Sequence, residues 1–138
     1  MKRFDVFFNF DGDCREAMEF YARVFGEKIP ERIMTYDQMP GGCPPADNGR
    51  ILYASMPIFG CNVMFSDAPA GTPHVKGTNV SPTLGCDDPD EIRRIYEALL
   101  DGGRAQMPLG KTFFSDLYGM VTDRHEITWQ ISLPPKTE

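Results

Sequence analysis

The sequence predicts an α+β fold: two βαβββ modules, each a curved, mostly antiparallel sheet with one helix on its back and a concave inner face. Three observations carry this. The first is a pair of helix signatures that superimpose without a gap. Setting Asp13 on Asp88 brings Glu16 onto Glu91, Phe20 onto Ile95, Tyr21 onto Tyr96 and Val24 onto Leu99. The second is the order of elements, one strand before each helix and three after it. This carries more weight than caps and periodicity, which would match many helix pairs. The third is residues 111–133, which read as two strands across a polar turn at Thr122, Asp123, Arg124 and His125. In the second strand Ile127, Trp129, Ile131 and Leu133 share one face, and Glu126, Thr128, Gln130 and Ser132 share the other. Period-two alternation with one apolar face marks a half-buried antiparallel strand.

Taken in order, residues 3–10 alternate as a strand, with Phe4, Val6, Phe8 and Phe10 opposite Asp5, Phe7 and Asn9. Asp13 reads as a helix N-cap, with Glu16 completing a capping box. Ala17, Phe20, Tyr21 and Val24 form the apolar stripe, and Gly26 stops the helix. Residues 27–36 read as a strand with Ile29 and Ile33 as its apolar positions. Residues 37–49 form a long loop rich in Pro and Gly. Residues 50–57 and 61–67 read as a hairpin around Phe59 and Gly60. Residues 68–77 read as a linker. Residues 78–86 are a strand. Asp88, Pro89 and Glu91 then give a strong helix start, followed by an apolar face of Ile92, Ile95, Tyr96, Leu99 and Leu100. The expected organisation is a single domain over 1–138: a module at 1–67, the linker 68–77, a module at 78–133 and a tail at 134–138.

With 138 residues, 41% hydrophobic and 25% charged, the chain is long enough to bury a core. A net charge of −6 argues against nucleic acid or an anionic membrane as partner. No apolar run approaches the roughly 20 residues a membrane span needs. Acidic residues interrupt the N-terminal stretch before a signal peptide's apolar segment forms, so a cytoplasmic location is expected. Cys14, Cys43, Cys61 and Cys86 form no CxxC pair, and read as free, mostly buried thiols rather than a zinc site.

If the apolar parity of each strand faces its helix, the other parity lines a concave inner face. That parity collects Asp5, Phe7, Asn9, Asn62, Met64, Ser66, Ser81, Thr83, Phe114, Asp116, Tyr118, Met120, Thr128 and Gln130, with Tyr53 near the mouth. Polar groups set among aromatics suit a small-molecule pocket. Asp116 and Tyr118 read equally well as an acid–base pair aimed at a ligand and as a satisfied polar or interface pair. Gln130 reads as a ligand contact or as packed against Tyr118 or Asp5. Trp129 reads as core. His74 and His125, the only histidines, read as solvent-exposed loop and turn residues rather than as a base or ligand.

Four segments, DGDCREAMEFYARVFG, MFSDAP, GTNVSPTLGCDDPDE and FFSDLYGMVTDRHEITWQI, resemble the vicinal oxygen chelate superfamily of glyoxalases, bleomycin resistance proteins and extradiol dioxygenases. Within it the chain is similar to the PhnB-like branch. The resemblance implies a glyoxalase-like fold whose two modules build a cup, a homodimer and, in the metal enzymes, four cup-facing ligands for one divalent ion. Those positions fall here at Asp5 (or Val6), Met64, Ser81 and Gln130. A thioether, a hydroxyl and an amide beside one carboxylate are poor ligands for zinc, nickel or iron(II). Members of this branch often carry a ubiquinone-pathway methyltransferase label. Here the glycine-rich strand-to-helix turn of a nucleotide-cofactor methyltransferase is missing. The expectation is therefore a small-molecule-binding homodimer without a cofactor. Its candidate pocket is Asp5, Phe7, Asn9, Tyr53, Met64, Ser81, Thr83, Phe114, Asp116, Tyr118 and Gln130. The alternative is a divergent metal-dependent lyase, isomerase or dioxygenase.

Overall fold

The strand–helix–three-strand order repeats, and each copy closes its own four-stranded sheet. The computed structural model describes residues 1–135, and the chain divides into two units, Met1–Val75 and Lys76–Glu138. In the first unit β1 (Val6–Phe10) precedes α1 (Cys14–Phe25), followed by β2 (Met34–Thr35), β3 (Ile51–Ile58) and β4 (Cys61–Asp67), in sheet order β1-β4-β3-β2. In the second unit β5 (Thr83–Gly85) precedes α2 (Pro89–Leu100), followed by β6 (Arg104–Gly110), β7 (Tyr118–Thr122) and β8 (Thr128–Ser132), in the order β5-β8-β7-β6. The β1–β4 and β5–β8 pairs are parallel and the others antiparallel.

The duplication holds at the level of register. The row Phe7–Met64–Ser55 in the first sheet has the same place in its strands as Thr83–Gln130–Met120 in the second. The matched helix positions Phe20 and Ile95, Tyr21 and Tyr96, and Val24 and Leu99 are all buried. In the first unit Tyr21 packs against Phe8 and Phe65 at ring separations of 6.1 and 6.2 Å. In the second unit α2 packs on a sheet whose strands carry buried Val121, Trp129 and Ile131. The β3–β4 turn places Phe59 and Gly60 at φ 50° and 76°, the left-handed twist that a two-residue hairpin requires.

Several expectations are corrected. Residues 27–33 are irregular and β2 is only Met34–Thr35, because Pro30 and a run of charged residues disfavour a ladder. β5 likewise shortens to Thr83–Gly85; Pro82 lacks the N–H for pairing, although its carbonyl still accepts from Gln130. β7 begins at Tyr118, not near residue 111. The Thr112 hydroxyl accepts from the Phe114 and Ser115 amides, and this local turn wins over the strand. Phe4, expected to face the helix, is 96% exposed. Asp13 makes no side-chain capping bond; the Asp67 carboxylate accepts from the Gly12 and Cys14 amides instead. His125 is buried rather than exposed, because its turn folds back over Asp123, whose carboxylate accepts from the His125 and Ile127 amides. All four cysteines are free, but Cys61 is exposed and Cys86 half-buried. The tail expected at 134–138 lies outside the described residues from position 136 on. Among the described residues no helix is long and apolar enough to cross a membrane.

Candidate functional site

The sheet face away from each helix carries the polar and aromatic parity. In the first unit Phe7 meets Tyr53 edge-on at 6.4 Å, and both are about two-fifths exposed. Met64 stands in register with Phe7 and Ser55 and is half-buried. Asn9 Oδ1 accepts from the Ser66 hydroxyl at 3.2 Å. Asp5 lies just before β1 and pairs with Arg3 at 2.6 Å.

In the second unit the Tyr118 hydroxyl donates to Gln130 Oε1 at 2.7 Å. Phe114 reaches this pair from the turn before β7, its ring edge-on to Tyr118 at 5.1 Å. Thr83 and Met120 flank Gln130 in register. Asp116 is exposed on the same turn and not on a strand, so the expected Asp116–Tyr118 alternation along one strand face does not form. Trp129 is core, its indole N–H donating to Asp123 at 2.8 Å.

Towards the far end of the same face lies a cavity of about 390 Å³. Met120 and the hydroxyls of Ser81, Thr122 and Thr128 line it from the strands and the segment before β5. Arg104 and Gln106 enter from β6, Lys76, Gly77 and Thr78 from the chain before β5, and Glu126 from the β7–β8 turn. Of the eleven candidate pocket residues, only Ser81 lines it. Lys76 and Thr78 fall in or next to the stretch read as a linker. Arg104 and Gln106 were missed because β6 becomes part of this face only through pairing with β7. The alternation of Arg104 and Gln106 with Ala105 and Met107 was the available signal.

The fold family implies a divalent ion, and the donor set does not fit one. Of the four ligand positions, Asp5 is already paired with Arg3, Gln130 Oε1 already accepts a hydrogen bond from Tyr118, and Met64 and Ser81 offer a thioether and a hydroxyl. Among the described residues no group of three or more His, Cys, Asp or Glu side chains could hold a metal.

The sequence matches the family described as 3-demethylubiquinone-9 3-methyltransferase over residues 2–132. It is 27% identical to Protein YjdN of Escherichia coli (strain K12), over 92% of each chain. Protein PA1353 from Pseudomonas aeruginosa superimposes with a TM-score of 0.86 at 29% identity, covering 97% of this chain and 98% of that one. The PhnB protein from Bacillus cereus does so with a TM-score of 0.80 at 26% identity, covering 96% and 99%. A glyoxalase/bleomycin resistance protein from Albidiferax ferrireducens T118 shares the fold, with a TM-score of 0.59 at 15% identity, covering 94% of this chain and 96% of that one.

Proposed function

The chain belongs to the family described as 3-demethylubiquinone-9 3-methyltransferase, the PhnB-like branch of the vicinal oxygen chelate superfamily, and from that premise we propose that it binds a small molecule on a sheet face turned away from its helix, without a catalytic metal. The family description itself does not transfer. The alternating strand–helix order and glycine-rich turn of a nucleotide-cofactor methyltransferase are foreign to a βαβββ repeat.

The observation that carries this reading is the Tyr118–Gln130 pair. Where the metal enzymes of the superfamily are expected to keep a carboxylate, this chain has a neutral amide whose oxygen already accepts a hydrogen bond at 2.7 Å. The amide N–H groups and the phenol ring remain as recognition elements, backed by the edge of Phe114. On this reading the protein acts in the cytoplasm, where its four thiols stay reduced, and as a homodimer.

Elemental analysis with a parallel thermal-shift screen tests the proposal. The expected result is substoichiometric transition metal and at least one small molecule that raises the melting temperature. A ligand at a hundred times its dissociation constant adds about 2.7 kcal/mol of stability, a readily measured shift. One chelatable transition metal per chain, needed for ligand binding, would overturn the metal-free reading.

A further inference from the structure

We infer that the groove on the second unit's sheet is an anion site, which takes the carboxylate or phosphate of a small ligand and holds it with Lys76, Arg104 and the paired hydroxyls of Thr122 and Thr128. This deepens the proposed function, and rests on it, by naming the ligand class.

The cavity, about 390 Å³, lies in the lower part of the range for small-molecule pockets. Its polar lining is rich in donors. Thr122 is almost fully buried, at 2% exposure. Its oxygen accepts from Gln106 Nε2 at 2.9 Å and lies 2.7 Å from the Thr128 oxygen. Two hydroxyls carry two protons, and the bond between them uses one. Neither hydroxyl has another acceptor among the described residues, so whichever way the pair is oriented one O–H is left to donate into the groove that both line.

Charge points the same way. Arg104 gives one N–H to Glu126 at 2.7 Å and keeps its remaining donors. Lys76 forms no ion pair among the described residues. Two cations against one carboxylate leave the groove with a positive balance, in a chain whose net charge is −6. A cationic ligand would meet two like charges, and a neutral one would leave the Lys76 ammonium without a counterion. An anion satisfies both cations and the spare hydroxyl with charge-assisted bonds. Met120, half-buried in the lining, gives the rest of the ligand an apolar surface.

The test is an amide ¹H–¹⁵N shift titration of the full chain with benzoate, inorganic phosphate, benzamide and benzamidine. Benzoate or phosphate should move resonances at residues 76–81, 104–106, 120–122 and 128, and which of the two binds tells carboxylate from phosphate. Benzamide and benzamidine should leave those residues unmoved. Lys76→Gln changes an exposed side chain and should keep the fold, yet weaken the anion about five-fold or more; added salt should weaken it too. The inference is overturned if benzamide matches benzoate, if Lys76→Gln binds the anion as well as the parent, or if neither anion moves these residues. Shifts confined to Phe7, Tyr53 and Met64 would sink the anion site and leave small-molecule binding standing. A required, chelatable metal would sink the metal-free reading and leave the anion site intact.

Discussion

Asp67, at the end of β4, holds three backbone amides on one buried carboxylate. Oδ1 accepts from Gly12 at 2.7 Å and Cys14 at 3.0 Å, and Oδ2 accepts from Ile51 at 2.9 Å. It thus ties the end of β1, the start of α1 and the start of β3 together. Asp123 has a similar role in the second unit, accepting from His125, Ile127 and the Trp129 indole. Removing such a carboxylate leaves several buried donors unsatisfied, and each costs the full desolvation of that group. Asp67→Ala should therefore lower unfolding free energy by about 3–5 kcal/mol, read by urea denaturation; a loss under about 1 kcal/mol would contradict the structure. The neighbouring Cys14 thiol is fully buried, and burial, with Asp67 and then Asp13 nearby, pushes its ionisation far above the ordinary thiol range. Only the thiolate attacks electrophiles, so a raised pKa means slower reaction at any given pH. With iodoacetamide at mildly alkaline pH, exposed Cys61 should be labelled in the native protein and Cys14 only after unfolding, as peptide mass spectrometry would show. Labelling of Cys14 at the rate of Cys61 in the folded state would contradict its burial.

The two helices begin with the same residue type but are capped differently. Asp88 accepts from the Asp90 amide at 3.0 Å and is followed by Pro89 at the first helical position. Asp88→Ala should cost about 1 kcal/mol, measured by thermal or chemical denaturation, and Asp88→Ser should recover most of it. Helices were legible because their signals are local: a cap, a proline and a 3.6-residue stripe lie within one contiguous run. The β3–β4 and β7–β8 hairpins were legible for the same reason. The misread elements are those decided by competition. At residues 111–117 the period-two pattern continues, but the Thr112 hydroxyl offers the backbone a turn, and the turn prevails. In residues 27–33 the apolar spacing of Ile29 and Ile33 suggests a strand that Pro30 and its charged neighbours do not support. The groove was least legible, because Lys76, Gln106 and Thr128 are far apart in sequence and meet only once β6 pairs with β7 and β7 with β8. No local pattern reports that pairing.

At the scale of the molecule, duplication explains why a chain of modest length builds two sheets with the same register. The row Phe7–Met64–Ser55 answers to Thr83–Gln130–Met120, so the same sheet face is presented twice with different chemistry: an aromatic ring, a thioether and a hydroxyl in one unit stand where the other has a hydroxyl, an amide and a thioether. Each unit also leaves large apolar side chains in the open: Phe4 at 96% and Phe113 at 97% exposure. Phe113 stacks edge-on against Phe114 at 5.2 Å and so extends an aromatic surface outward from the Tyr118–Gln130 pair. Single exposed apolar residues are ordinary, but a contiguous pair standing beside an aromatic face is the kind of surface that subunit contacts cover. The homodimer proposed above would supply that cover. Sedimentation should give a particle of about 31 kDa, twice the 15.5 kDa chain. Burying a phenylalanine side chain is worth about 1.5–3 kcal/mol, and placing a carboxylate there adds a desolvation cost. Phe113→Glu should therefore raise the dimer dissociation constant by at least about ten-fold, while the far-ultraviolet dichroism of the folded chain is unchanged. A parent protein that sediments at 15.5 kDa at every concentration would rule the homodimer out. A dimer indifferent to Phe113→Glu would exclude this aromatic surface as its interface.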